Sequence, residues 1–183
     1  WGNPDGEPVL MVQGLGADRR GWILQRRAFG AKYRCIALDN RGVGKSDKPP
    51  GPYDLSMMAR DAIAVLDDVG VDKAHVMGAS MGGVISQIIG VLHADRVRSL
   101  TLACTACRQL PWRRELLSEW AALAETEGMA AFVQRNARWL FGARSFRRLR
   151  PLIGPVGGLA LNASPDAFIA QVDAILAADE SRR

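Results

Sequence analysis

Ala74-His75-Val76-Met77-Gly78-Ala79-Ser80-Met81-Gly82-Gly83-Val84-Ile85-Ser86-Gln87-Ile88-Ile89-Gly90-Val91-Leu92 is the stretch whose reading decides the fold. Its first four residues read as an apolar strand, and the run from Gly83 to Leu92 reads as a helix. Between them, Gly78-Ala79-Ser80-Met81-Gly82 is a G-x-S-x-G motif. A serine on so sharp a strand-to-helix turn is held in a strained conformation with its hydroxyl clear of neighbouring side chains. Gly78 and Gly82, two before and two after, let the chain turn that tightly. The five-residue pattern alone is common. Strand, elbow and small-residue helix together separate it from an ordinary glycine-rich turn.

An earlier segment supplies a second part. Val9-Leu10-Met11-Val12 is a short apolar run that ends in Gln13-Gly14-Leu15-Gly16. Acyl transfer requires two backbone N–H groups aimed at the oxygen that becomes negative in the transition state. Met81, just after the serine, is one expected donor, and Leu15, in the loop after this first strand, is the other. Both loops follow the carboxyl ends of strands, where open α/β sheets bind ligands.

In these motifs the chain resembles the α/β-hydrolase family, in the group of small esterases, lactonases and cofactor-free peroxidases. Gln13-Gly14-Leu15-Gly16 stands where that family usually has His-Gly-x-x, and Asp39-Asn40-Arg41-Gly42-Val43-Gly44-Lys45-Ser46 looks like its D-x-R-G-x-G-x-S loop. Ser80 is in its elbow, and Arg96 to Leu102 looks like its following strand. The likeness is close from Val9 to about Leu110 and looser beyond, with the enol-lactone hydrolase or methylesterase type as the nearest flavour. It implies a small-molecule ester or lactone substrate and Ser80 as nucleophile. Leu15 and Met81 would form the oxyanion hole, supported by Gln13, Gly14, Gly78 and Gly82. It implies neither a cofactor nor a metal.

The base is missing. A serine hydroxyl needs a general base in hydrogen-bond reach and an acid to orient that base. The family order is Ser, then Asp or Glu, then His, on loops after later strands. This sequence has only two histidines. His75 lies five residues before Ser80 in one strand, about 16 Å away at ~3.3 Å per residue. His93 lies thirteen residues after it, roughly 20 Å away at ~1.5 Å per residue along a helix. The expectation is a truncated hydrolase, inactive as it stands, with the last strands and the triad Asp and His absent.

The 183 residues, 48% of them hydrophobic, suffice for one sizeable core. No apolar run approaches the ~18 residues that span a bilayer, so no membrane contact is expected. Three cysteines, an odd number, argue against a disulfide framework and for a reducing, cytoplasmic setting. Cys104-Thr105-Ala106-Cys107 has C-x-x-C spacing but no helix N-terminus for redox work and no further ligands for zinc.

Strands are predicted over residues 9–13, 34–38, 74–77 and 97–103, and helices over 21–31, 55–69 and 82–92. This alternation predicts an α/β fold, doubly wound, with a mainly parallel sheet and flanking helices. Residues 1–110 would be the core. Residues 111–183, helical by periodicity over 112–125, 129–141 and 165–178, would be a lid. The strand at 97–103 would then be an uncovered apolar edge.

Two further patterns are weighed: a P-loop reading is set aside, and a dinucleotide-binding reading stays as the last alternative. Gly42-Val43-Gly44-Lys45-Ser46 ends like a P-loop, but Asp39 takes the first glycine's place and Asp47-Lys48-Pro49-Pro50 follows where a helix must begin. Gly14-x-Gly16 with Asp39 imitates a dinucleotide fingerprint, but Arg19 stands at the third glycine and the Ser80 elbow goes unexplained. The net charge of +5 is concentrated: nine arginines and four glutamates lie between Arg108 and Arg150. A solvated lid face accounts for this. A sharper reading has some of these arginines steer or bind an anionic substrate carboxylate. Nucleic-acid binding is not expected, since Trp139, Phe141 and Phe146 interleave with arginines without a recognised module and fit a buried helix stripe. A non-catalytic binding or scaffold protein on the same fold is the alternative from a different class, and a cofactor-free haloperoxidase shares the elbow. Oligomeric state is not legible in the sequence.

Overall fold

The structure, a computed structural model, describes residues 1–140, 142–148 and 161–180. Four strands, β1 (Glu7–Val12), β2 (Tyr33–Ala37), β3 (Ala74–Ala79) and β4 (Val97–Ala103), form one sheet in the order β2-β1-β3-β4. Every pairing is parallel, with Val9 beside Cys35 on one side and His75 on the other. Parallel neighbours need crossover connections, which here are helical. These are α1 (Arg26–Gly30), α2 (Leu55–Asp68) and α3 (Met81–Leu92).

The central strand explains why its sequence is continuously apolar. Leu10 and Val12 join the larger core, with α2, α3 and the C-terminal helix, while Val9 and Met11 join a smaller cluster with Trp22 and Cys35 on the opposite face. A strand covered on both faces reads as an unbroken hydrophobic run. β1 pairs with β2 on one side and β3 on the other, so strand order reverses between β1 and β3. The crevice at their carboxyl ends is the topological switch point where such sheets bind ligands.

α2 starts at Asp54, whose carboxylate accepts from the Ser56 N–H, and buries Leu55, Met58, Ala59, Ala62, Ile63 and Leu66 at helical spacing. Beyond β4 the chain is helical: α4 (Pro111–Leu140), α5 (residues 143–148) and α6 (Pro165–Glu180). Gly128, at φ 79° and ψ 172°, breaks α4 into two limbs near the boundary expected from periodicity. α6 packs on the second limb through the Phe132–Phe168 ring pair, centroids 4.7 Å apart. No helix among the described residues is long and apolar enough to cross a membrane.

Three expectations are corrected. The predicted helix over 21–31 is instead a 3₁₀ turn at Arg19–Trp22, capped by Asp18, followed by the short α1. Only Trp22 is buried there, while Ile23 and Leu24 stand 60% and 84% exposed, so no apolar face holds a longer helix. Trp139 is not part of a buried stripe: it is exposed, with the Arg138 guanidinium 5.4 Å from its ring centroid. Phe141, named beside it, lies outside the described residues. Finally, α5 has no counterpart in the sequence reading. Among the described residues β4 is an outer strand, with Leu100 39% and Leu102 43% exposed, as expected of an uncovered edge.

Candidate active site

Ser80 sits between β3 and α3 with φ 53° and ψ −118°, backbone angles that a non-glycine residue adopts only under strain. Steric demand explains both flanking glycines. A Cβ at Gly78 would lie 2.3 Å from the Gly82 carbonyl and from Ser86 Oγ, and one at Gly82 would lie 2.2 Å from the Val12 carbonyl. β1 and the elbow thus pack backbone against backbone. The Ser80 N–H donates to the Ala103 carbonyl at the end of β4 (3.0 Å), and its carbonyl accepts from the N–H groups of Gly83 and Val84. The hydroxyl makes no capping bond to its own helix and lines a cavity of about 490 Å³.

The loop after β1 faces it. Gly14 is tight against the serine: a Cβ there would lie 3.1 Å from Ser80 Cβ. Gln13 accepts the Gly14 N–H at its own Oε1 (3.1 Å), while the Gln13 carbonyl accepts from Asn40 Nδ2 (2.9 Å). Among the described residues the Leu15 N–H has no acceptor. Met81 is the first residue of α3, where a backbone N–H has no intrahelical partner. Leu15, Met81 and Ser80 all line the same cavity.

The remaining walls come from the helices beyond β4. Trp112, Leu117, Trp120, Phe132 and Trp139 of α4 and Phe168 of α6 line the same cavity as Ser80. α6 also reaches the loop below. Gln171, fully buried, accepts the Gly16 N–H at Oε1 (2.9 Å) and donates from Nε2 to the Arg41 carbonyl (2.9 Å). Asn162 adds a backbone pair, its N–H to the Gly16 carbonyl and its carbonyl to the Gly44 N–H. Sequence reasoning missed Gln171 and Asn162, since a single polar residue, in α6 or in the segment before it, carries no local signal.

Around this frame lie two carboxylates. Asp39 accepts from Arg19 and from the Lys45 N–H, and the Asp39 carbonyl accepts from Ser46 Oγ. Lys45 and Ser46 therefore brace a turn, with no helix beginning before Leu55. Burial pushes the Asp18 carboxyl up. Hydrogen bonds from Arg20 and Asn162 outweigh it, so its pKa ends below its ordinary value. Neither histidine approaches the serine. His75 bonds Ser99 Oγ (2.7 Å) and Glu7 (3.4 Å) near the start of β3, and His93 caps the far end of α3. Neither Cys104 nor Cys107 is in a disulfide, and Cys104 lines the cavity.

The profile of the family described as alpha/beta hydrolase fold matches residues 7–171. The chain is 32% identical over 139 residues, 76% of its length, to an Azorhizobium caulinodans protein provisionally named carbamate hydrolase RutD. It is 31% identical over 138 residues, 74% of its length, to 3-oxoadipate enol-lactonase 1 of Acinetobacter baylyi. It spans about half of those relatives, 52% and 51% of their lengths. Among solved structures it is similar to the enol-lactonase of Burkholderia xenovorans LB400, with a TM-score of 0.88 and 28% identity over 97% of this chain and 68% of that one.

Proposed function

Because the chain belongs to the α/β-hydrolase family, we propose that it carries the nucleophilic half of a serine hydrolase acting on carboxylic esters or lactones. Ser80 is the nucleophile, and the Leu15 and Met81 N–H groups receive the oxyanion. The observation that supports this reading is a strained Ser80 lining one cavity together with Leu15 and Met81, with no acceptor for the Leu15 N–H among the described residues. Attack by Ser80 Oγ on the carbonyl carbon would build negative charge on the carbonyl oxygen. Donors already in place there cost no reorganisation, which is why such holes are worth about 10²–10³ in rate per donor. Gln13 shapes this loop without transferring protons, since an amide does not titrate near neutrality.

A catalytic base is not supplied by these residues, because both histidines lie at the ends of elements remote from Ser80. A serine without a base keeps only the residual catalysis of the oxyanion hole and binding. The 183-residue chain is therefore expected to turn over p-nitrophenyl acetate no faster than its Ser80→Ala variant, both compared after a cooperative melt has been confirmed. Turnover by the wild-type chain that depends on Ser80 at the rate of a complete enzyme would mean another residue acts as base.

A further inference from the structure

We infer that Arg113 selects substrates carrying a carboxylate remote from the bond being cleaved, an inference that rests on Ser80 marking the reacting end of the cavity. Arg113 is the one charged side chain among the described residues that line this cavity, whose walls are otherwise mainly apolar and aromatic. It is half-buried, and among the described residues its guanidinium makes no hydrogen bond or ion pair. Its neighbour Arg114 differs, donating to the Leu176 carbonyl of α6 at 3.3 Å.

Helix energetics do not account for Arg113. It lies in the first turn of α4, where the macrodipole favours anions and a cation is unfavourable by a few tenths of a kcal/mol or more. No acidic residue offsets it in that turn. The helix N-terminus and the guanidinium thus add to one positive region at a wall of the cavity. A charge partly withdrawn from water needs a partner. A planar guanidinium fits a carboxylate in a bidentate pair, and low surrounding polarity strengthens that pair. The ligand that satisfies both ends has an ester or lactone carbonyl at Ser80 and an anionic group on the same apolar body. A charge-assisted pair of this kind is worth about ten- to hundredfold in affinity.

The test reads binding rather than turnover, so it does not depend on a catalytic base. Trp112, Trp120 and Trp139 line the cavity and report occupancy by fluorescence. The probes are the monomethyl esters of the linear dicarboxylic acids from succinate to suberate, each against its neutral dimethyl ester at neutral pH. The expected result is at least one monoester bound about tenfold or more tighter than its diester, with the preference shrinking as salt is raised. Arg113→Gln, with an unchanged melt, should erase the preference while keeping diester affinity, and Arg113→Lys should keep part of it. Equal affinities in the wild type, binding of neither series, or a preference surviving in Arg113→Gln would overturn the inference. Ser80→Ala should leave the preference intact. When a base is supplied by fusing the chain to the remaining part of a related hydrolase, a preference without Ser80-dependent turnover would sink the nucleophile reading alone, and Ser80-dependent turnover without a preference would sink this one alone.

Discussion

Gln171→Leu should cost the fold about 3 kcal/mol while leaving side-chain volume nearly unchanged. Gln171 is fully buried and bridges the Gly16 N–H to the Arg41 carbonyl, both at 2.9 Å. Leucine can make neither bond, so two backbone groups lose their partners. Each unsatisfied buried group costs about 1–3 kcal/mol, and the added apolar burial returns about 1 kcal/mol. For a chain of this size that corresponds to a fall in Tm of about 6–12 °C. Urea unfolding followed by tryptophan fluorescence, with a thermal melt beside it, measures the change. Gln134→Leu, at an exposed position on α4, is the control and should stay within about 0.5 kcal/mol of wild type. If Gln171→Leu does the same, α6 does not tie down the loop that carries Leu15.

Gly82→Ala would set a methyl 2.2 Å from the Val12 carbonyl and 2.6 Å from that of Gln13, so its urea midpoint should fall by an amount worth about 2 kcal/mol or more. Ser80→Gly should melt above Ser80→Ala, because φ 53°, ψ −118° suits glycine and stores about 1–3 kcal/mol in other residues. Asp18, held below its ordinary value of 3.8 when folded, stabilises the chain above that pH and loses its contribution as pH falls further. Asp18→Asn should therefore lower stability at neutral pH and flatten the acid limb of the stability–pH curve read by thermal melts.

The elbow was legible because its determinants are local: two glycines, a strand and a helix within nineteen residues of one another. β4 matched its predicted span, Val97–Ala103, and the break at Gly128 fell between the two helices predicted there, at a φ of 79° that glycine adopts readily. The remoteness of both histidines also followed from element rise alone. What sequence could not supply was long-range pairing. Gln171 meets Gly16 across 155 positions, and Asn162 meets Asp18 across 144. Residues 21–31 misled for the opposite reason. Their apolar residues suggested a helix, yet only Trp22 is buried, beside Val9, Met11 and Cys35, with Phe29 packed at the margin while Ile23 and Leu24 stay exposed. Arg113 was one of nine arginines in its region, and only the folded cavity distinguishes it.

Ser80 as nucleophile is tested most directly when a base is supplied. A chimera can join residues 1–183 to the part of the Burkholderia xenovorans enol-lactonase that the match leaves uncovered, as the proposed source of an acid and a histidine. Turnover of p-nitrophenyl acetate is measured for the chimera and for its Ser80→Ala variant after both show cooperative melts. The account predicts activity in the first and a loss of at least about a thousandfold in the second, the scale expected when one member of a unit acting together is removed. An active chimera whose alanine variant stays within about tenfold of it would contradict the assignment.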